Sequence, residues 1–139
     1  MTIILANHMN ELPRLNDAVA AFVAQQGVSE KDGYELALVL EEIFTNIVSY
    51  AFDAPGNHTI EIELKRKGQV LLVTVADAGR PFDPRSVPPP DLAADLDHRT
   101  IGGLGIHLVR KLTEELAYER RAGINHLSFR KTLRQADGD

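Results

Sequence analysis

The chain has 139 residues, which is enough for one domain with a sizeable core and leaves little room for a second. Hydrophobic residues make up 44% of it and charged residues 25%, as in ordinary globular domains. The net charge of -5 argues against a protein that binds nucleic acid through bulk positive charge, and the absence of cysteine excludes disulfides, thiolate metal sites and cysteine nucleophiles.

The first half of the chain predicts one strand and two helices. Residues 2–6, TIILA, are short and β-branched and predict an edge strand. A helix is predicted over 10–27, where apolar residues recur at helical spacing and Gly27 provides a stop. Ser29 predicts the N-cap of a second helix over about 30–51, because acidic residues follow it in the first turn.

A hairpin is predicted next. The cluster DAPGNH at 53–58 is typical of a turn and ends the second helix. Residues 59–67 and 69–77 then alternate apolar and polar side chains on either side of Gly68, which predicts two antiparallel strands.

The second half changes in texture. Five of the seven prolines fall in residues 81–90, and the segment 83–101 is too long for a simple connection in a compact domain, which indicates either a functional lid or a disordered segment. A helix is predicted over 105–115, and a last hairpin over 116–121 and 125–133.

This order of elements predicts an α+β fold. Strands grouped as hairpins favour a mostly antiparallel sheet with the helices on one face, a two-layer sandwich. We expect residues 1–134 to form a single domain and 135–139 to be a polar tail. The N-terminal segment lacks the basic region of a secretory signal, and no apolar run approaches the roughly 18 residues that cross a bilayer, so we expect a cytoplasmic protein.

The stretch EEIFTNIVSYAF at 41–52 places polar side chains within the second helix. Glu42 and Asn46 are four residues apart and project from one helix face, whereas Glu41 is rotated from Asn46 by roughly 140° and is expected to be solvated. A carboxylate and an amide oxygen on one wall suit Mg²⁺, or a general base beside a metal ligand. The spacing also fits an exposed polar row beside an apolar stripe. The stripe comprises Leu36, Leu40, Ile43, Phe44 and Ile47.

Two further patterns follow it. In VADAGRPFDP at 75–84, Asp77 at a strand end can accept a hydrogen bond from an exocyclic amine, and Gly79 lets a flat ring approach, although both residues also suit a plain turn. In TIGGLGIHLVRK at 100–111, glycines run into a helix whose N-terminal N–H groups suit phosphates. The chain has no G-x-x-x-x-G-K-[ST] loop, so a nucleotide would need another binding device.

Together these patterns resemble the three sequence boxes of the Bergerat-type (GHKL) ATP-binding fold. The matching residues are E-x-x-x-N at 42–46, D-x-G-x-P-F-D at 77–83 and G-G-L-G at 102–105. The small size and the PFDP stretch are similar, more narrowly, to the bacterial anti-sigma-factor serine/threonine kinases, and the resemblance spans nearly the whole chain. Members of that family bind a sigma factor and phosphorylate a STAS-domain antagonist.

The resemblance implies a role for each matching residue, with ATP and Mg²⁺ as cofactors. Glu42 would be the general base for a substrate hydroxyl, and Asn46 would ligate the Mg²⁺ that bridges the phosphates. Asp77 would bind the adenine amino group, Gly79 would give the ring access, and residues 83–101 would form the ATP lid. The remaining residues implied in nucleotide binding are Phe82, Arg99, Gly102, Gly103, Leu104 and Gly105.

One departure concerns the adenine side. The superfamily often has a threonine near the adenine-binding aspartate, just before the final strand. The corresponding stretch here is GINHLSF, so Asn125, His126 or Ser128 replaces that threonine.

The implied function is that of an anti-sigma factor and protein serine kinase, which phosphorylates a STAS-domain antagonist and so controls release of a sigma factor. Two alternatives are a non-catalytic module that holds a partner by ATP-dependent lid closure, and the ATP-binding half of a histidine-kinase pathway. Glu42 favours the kinase over the module, because binding alone needs no base. The family also implies a homodimer without direct contacts to nucleic acid or a membrane.

The other ionisable residues form no recognisable motif. The five histidines lack the spacing of metal ligands. We expect the basic residues near the C-terminus to lie on solvated faces of the last helix and hairpin, with a partner-binding patch as the alternative. These residues are Arg110, Lys111, Arg120, Arg121, Arg130 and Lys131.

Overall fold

The computed structural model describes residues 1–86 and 103–134, and within those ranges it has five strands and three α-helices. The predicted lid beyond residue 86, including Arg99 and Gly102, and the tail at 135–139 lie outside the described residues. The strands are β1 (Thr2–Ala6), β2 (Thr59–Lys67), β3 (Val70–Asp77), β4 (Glu114–Arg121) and β5 (Ile124–Thr132). The helices are α1 (Leu12–Gln26), α2 (Glu30–Tyr50) and α3 (Gly103–Leu112).

All five strands form one antiparallel sheet in the order β1-β2-β3-β5-β4. β1 and β4 are the edges, and β5 lies between β4 and β3. In the β3–β5 ladder Asp77 lies opposite Asn125, and Val73 lies opposite Phe129. The helices pack on one face of this sheet, which confirms the predicted α+β class and mostly antiparallel sheet.

Helix α2 forms the centre of the helical layer. Ser29 is its N-cap, because its hydroxyl oxygen accepts a hydrogen bond from the backbone N–H of Asp32 at 3.2 Å. The whole predicted apolar stripe of this helix is buried against the sheet. Each such fully buried side chain contributes about 1.5–3 kcal/mol through its removal from water.

The strands alternate buried and exposed residues, and the buried set meets the helices. The core residues of the three central strands are Ile60, Ile62, Leu64, Leu71, Val73, Val75, Leu127 and Phe129. Within the described ranges, no helix is long and apolar enough to cross a membrane.

The predicted boundary of the last helix is wrong at its C-terminal end. α3 ends at Leu112 instead of residue 115, and the hydroxyl of Thr113 donates to the carbonyl of Val109 at 2.6 Å, which closes the last turn. Glu114 already pairs with Arg130 in the β4–β5 ladder. Strand pairing therefore outweighs the helical propensity of the two glutamates at this point.

Candidate functional site

The first wall of the candidate site is the polar face of α2. Asn46 is only 2% exposed, and its side-chain Nδ2 donates to the backbone carbonyl of Glu42 at 2.7 Å. Because a carbonyl can only accept, the amide must present Nδ2 there, and no described residue donates to its Oδ1. A buried amide oxygen without a donor is costly, and it is available to a cation.

Glu42 reaches from α2 to the first turn of α3. A Cβ atom at Gly105 would lie 1.8 Å from Glu42 Oε2, so the carboxylate rests directly against the glycine backbone. Burial, and then the negative charge of Glu41, raise the pKa of Glu42. Glu41, which was expected to be solvated, is half-buried. The raised pKa strengthens Glu42 as a proton acceptor once it is ionised.

The glycine box forms the start of α3. The helix begins at Gly103, so Gly103, Leu104 and Gly105 supply backbone to its first turn. The first N–H groups of a helix have no partner within it and carry a partial positive charge. This end of the helix, which could hold an anion, therefore lies beside Glu42, and two of the three predicted boxes come together.

The third box forms the end of β3 and the loop after it. Asp77 is 5% exposed, and its Oδ1 accepts hydrogen bonds from Gly79 N at 2.9 Å and from Asn125 Nδ2 at 3.1 Å. A Cβ atom at Gly79 would lie 2.4 Å from the carbonyl oxygen of Ala51, so no other residue fits without displacing backbone. Arg80 N donates to that same oxygen at 2.8 Å, which joins the loop to the end of α2.

Among the three candidates for the missing threonine, Asn125 is the residue beside Asp77. It is 3% exposed and faces the helices, whereas His126 and Ser128 are half-buried and pair with Ala76 and Thr74. Asn125 Nδ2 also donates to the carbonyl of Arg80 at 2.8 Å.

Phe82 lies near the last turn of α2. Its ring centroid is 5.8 Å from that of Tyr50, with the ring planes tilted by 38°. This contact extends the wall begun by Glu42 and Asn46, because Tyr50 lies one turn beyond Asn46 on the same helix.

The predicted lid begins in a short 3₁₀ turn, Pro84–Ser86. The guanidinium of Arg85 donates to Asp83 from two nitrogens, Nε at 3.0 Å and Nη2 at 2.9 Å. Burial pushes the pKa of Asp83 up, but the hydrogen bonds from Arg85 outweigh it and hold that pKa below its usual value. Arg110 of α3 donates to the carbonyl of Arg85, which fastens this turn to the helix.

Arg120 and Tyr118 were missed by the sequence reasoning. Arg120 is exposed, as expected, and its guanidinium also donates to the carbonyl of Gly79 at 3.0 Å and to Asn125 Oδ1 at 2.9 Å. The hydroxyl of Tyr118 donates to the same Oδ1. These edge-strand residues therefore brace the loop that follows β3.

Lys131 was also predicted to be solvated, and this prediction is wrong. Its side chain is 5% exposed, and Nζ lies 2.7 Å from Glu35 Oε1 and 4.0 Å from Asp32 Oδ1. Nζ also donates to the carbonyl of Leu112 at 3.3 Å, at the C-terminus of α3. The alternation of β5 was the available signal, because it puts residues 125, 127, 129 and 131 on one face.

Arg134 completes this cluster at the N-terminal end of α2. Its backbone N–H donates to Asp32 Oδ2 at 2.7 Å, and its guanidinium contacts both Asp32 and Glu35. Burial raises the pKa of Glu35, but the hydrogen bonds from Lys131 and Arg134 outweigh it, so that the pKa is lowered overall.

A divalent cation at this site would take only part of its coordination shell from the protein. In residues 1–86 and 103–134 no group of three His, Asp or Glu side chains is arranged to hold a metal ion. Asn46 Oδ1 fits one position of an oxygen-rich Mg²⁺ shell, and Mg²⁺ commonly takes its other ligands from phosphates and water.

Comparison with known proteins gives concordant matches. Residues 5–131 match the family described as the histidine kinase-like ATPase domain. The serine/threonine-protein kinase BtrW of Bordetella bronchiseptica is 36% identical over 96 residues, which cover 69% of this chain and 68% of that protein. The serine-protein kinase RsbW of Bacillus subtilis is 28% identical over 108 residues, covering 70% and 68% of the two chains.

Solved structures show the same fold. The RsbU and RsbW domains of a Mycobacterium tuberculosis protein superpose with a TM-score of 0.64 at 17% identity. That match covers 98% of this chain and 33% of the solved chain, so this chain spans a third of the solved one. The histidine kinase domain of a blue-light activated kinase from Erythrobacter litoralis superposes with a TM-score of 0.54 at 19% identity, covering 88% of this chain and 59% of that one.

Proposed function

The chain belongs to the histidine kinase-like ATPase domain family, within the group of the RsbW and BtrW serine/threonine-protein kinases, and on that premise we propose that it is an anti-sigma factor that phosphorylates a STAS-domain antagonist. One observation carries the catalytic part of the proposal. Glu42, a carboxylate with a raised pKa, lies against the first turn of α3, where the phosphates of ATP would bind.

Glu42 is the proposed general base. A serine hydroxyl of the antagonist attacks the γ-phosphorus of ATP, the bond from that phosphorus to the β–γ bridging oxygen breaks, and ADP leaves. The proton of the hydroxyl passes to the carboxylate of Glu42 and then to solvent. Phosphoryl transfer needs mainly positioning and charge stabilisation, so one base, one helix N-terminus and a cation suffice.

Asn46 is the proposed protein ligand of Mg²⁺, through its Oδ1, to which none of the described residues donates. A bound Mg²⁺ would neutralise charge on the phosphates. Within α2, Asn46 lies one turn from Glu42, so the base and the cation ligand share one rigid helix.

Asp77 is the proposed acceptor for the amino group of adenine. Its Oδ1 is occupied by two donors, and no described residue donates to Oδ2, which is left for the base. The space that a side chain on Gly79 would need is filled by Ala51, so the glycine lets the loop after β3 pack against the end of α2 rather than opening room for the ring. Phe82, which packs on Tyr50, is a further proposed nucleotide-binding residue. The backbone of the 103–105 turn, together with Arg99 and Gly102, would complete the nucleotide site.

The partners follow from the family resemblance. We propose a sigma factor and a STAS-domain antagonist as alternating partners of a cytoplasmic homodimer, with the antagonist as substrate. No surface of the described residues is assigned to either partner.

A transfer assay tests the proposal. Labelled ATP, Mg²⁺ and a STAS-domain protein encoded next to this chain's gene should yield phosphoserine. Glu42→Gln should lower transfer by about 10²–10⁴-fold, the usual contribution of a general base, and leave nucleotide binding largely intact. Asp77→Asn is the matched variant, because it should weaken ATP binding more than Glu42→Gln does.

The outcomes separate the alternatives. Wild-type protein that binds ATP but transfers nothing to any candidate antagonist would instead be a non-catalytic module that binds its partner in an ATP-dependent way. Equal losses of ATP binding in the two variants would show that the assignment of Glu42 and Asp77 is wrong.

A further inference from the structure

We propose that Asn125 holds the carboxylate of Asp77 in one orientation, and that it thereby sets the selection of adenine nucleotides without touching the base. The inference rests on the proposed function, in which Asp77 receives the amino group of adenine. Asn125 is thus a positioning residue for nucleotide specificity.

The hydrogen-bonding capacity of Asn125 is completely used within the protein. Its Nδ2 donates to Asp77 Oδ1 at 3.1 Å and to the carbonyl of Arg80 at 2.8 Å. Its Oδ1 accepts from Arg120 at 2.9 Å and from the hydroxyl of Tyr118. A primary amide offers two N–H donors and two acceptor positions, so none is left for a ligand. Asn125 can therefore act on a bound nucleotide only through Asp77.

The chemistry of the partners fixes the direction of this amide. A guanidinium has no acceptor, so Arg120 must face Oδ1 of Asn125, and a carbonyl has no donor, so that of Arg80 must face Nδ2. Reversing the amide would break both contacts. The hydrogen bond to Asp77 is thus a donated one, and it adds to the bond from Gly79 N on the same carboxylate oxygen.

Two donors on Oδ1 of Asp77 decide what the other oxygen does. With Oδ1 held, rotation of the carboxylate would break both bonds, and Oδ2 remains a fixed acceptor. A purine with an amino group at position 6 donates to such an acceptor, whereas a purine with an oxygen there sets two acceptors against each other. A carboxylate that is held keeps this acceptor directed at position 6, so the preference for the amino purine should be larger than with a carboxylate that is free to turn away.

The position of Asn125 argues against a merely filling role. It belongs to the inward row of β5, in which Leu127 and Phe129 are apolar core residues. Burial of an amide in that row costs free energy unless its hydrogen bonds are made, and an apolar residue would continue the core at no such cost. The amide also bonds residues of β3, β4 and the 78–80 loop region, at the place where the base would bind.

The test compares hydrolysis-resistant analogues of ATP and of inosine triphosphate, which has an oxygen in place of the amino group. The readout is the ratio of their dissociation constants, measured by calorimetry. We expect wild-type protein to prefer the ATP analogue by about tenfold or more, and Asn125→Leu to reduce that preference to within about threefold. Tyr118→Phe, which loosens Asn125 alone, should fall between them. Ser128→Ala, on the outer face of β5, is the matched control and should keep the wild-type ratio.

Each other result overturns the inference. Asn125→Leu that retains the wild-type ratio, or that weakens both analogues by one factor, would show that Asn125 does not act on selection. If Asn125→Leu does not fold, as judged by near-UV circular dichroism, a wild-type ratio in Tyr118→Phe overturns it. Wild-type protein with no preference or no binding would overturn the role of Asp77 itself, and this failure is distinguished because it appears without any substitution.

Discussion

Polar side chains are buried in both halves of α2. Near the N-terminus, the matched end, they are paired with opposite charges, whereas around Glu42 and Asn46, the site end, no described residue supplies such a partner. At the N-terminal end, the carboxylates of Asp32 and Glu35 are matched by Lys131 and Arg134, and the pKa of Glu35 is lowered. In the C-terminal half, the pKa of Glu42 is raised by burial and by its neighbour Glu41.

Within this one helix, the matched end contributes to stability and the site end provides groups for chemistry. The matched end satisfies its charges and ties α2, α3 and β5 together. The site end leaves a carboxylate without a cation and an amide oxygen without a donor among the described residues, which is the condition for binding something else. Stability lost at functional sites in this way is a general trade-off.

The largest effect on stability is expected when the ion pairs at the matched end are broken. Lys131→Met leaves Glu35 and the fully buried Asp32 without their buried cation, and should lower the free energy of unfolding by about 3–5 kcal/mol, measured by urea denaturation. Arg130→Met is the matched control on the outer face of β5. It loses only a surface pair with Glu115 and should change stability by less than about 1 kcal/mol.

The pH dependence gives that variant a second readout. A lowered pKa in the folded state contributes stability that is present above the unfolded value and is lost as the pH falls through the folded one. The deficit of Lys131→Met should therefore shrink in acid as Glu35 becomes protonated. A deficit that is constant from neutral to acidic pH would mean that lost packing, not the ion pair, causes it.

A smaller effect is expected when the geometry of the site end is disturbed without a change of charge. Gly105→Ala places a methyl group where Glu42 Oε2 now lies, so the carboxylate must move. Transfer to the antagonist should fall about 100-fold, about 2.7 kcal/mol, because misplacement of a catalytic group has costs of this size. His107→Ala, an exposed position on the same helix, should retain full activity. Undiminished transfer by Gly105→Ala would remove Glu42 from the mechanism.

The smallest effect should have the opposite sign to the first. Glu42→Gln removes a carboxylate that folding disfavours, so it should raise stability, by less than about 1 kcal/mol since the group remains partly hydrated. The gain should be largest at neutral pH and vanish as the pH falls below the unfolded value, because the raised pKa then no longer matters. Glu41→Gln removes the smaller of the two causes that raise the pKa of Glu42 and should give a lesser gain. A loss of stability in Glu42→Gln at neutral pH contradicts the comparison.

Local patterns predicted most of the elements and the residues of the candidate site. Apolar periodicity and the Ser29 cap predicted α2, and the order of the three boxes predicted that Glu42 and the glycines of α3 belong together. The periodicity and the cap lie within short segments, where spacing decides which side chains share a face, whereas the joint assignment of the three boxes came from their resemblance to a known family.

The residues that the sequence did not reveal are those defined by pairing between distant strands. That β5 pairs with β3 and not only with β4 follows from no local pattern, and it is this pairing that puts Asn125 beside Asp77. Lys131 was assigned to a solvated face by its charge, although the alternation of β5 pointed inward. A lysine is seldom fully buried unless it is paired with an acid. The partner Glu35 is 96 residues away in the sequence, so the local pattern around Lys131 does not reveal the pair.

The cluster around Lys131 also has a consequence for the order in which the domain folds. The hydrogen bond from Arg134 to Asp32 joins residues 102 positions apart, and the one from Lys131 to Glu35 spans 96. Closing such long loops reduces the entropy of the chain before these contacts can stabilise it, and contacts of this kind slow folding. The buried acids of the second helix can therefore be matched by their cations only once the last strand, which carries Lys131, has joined the sheet.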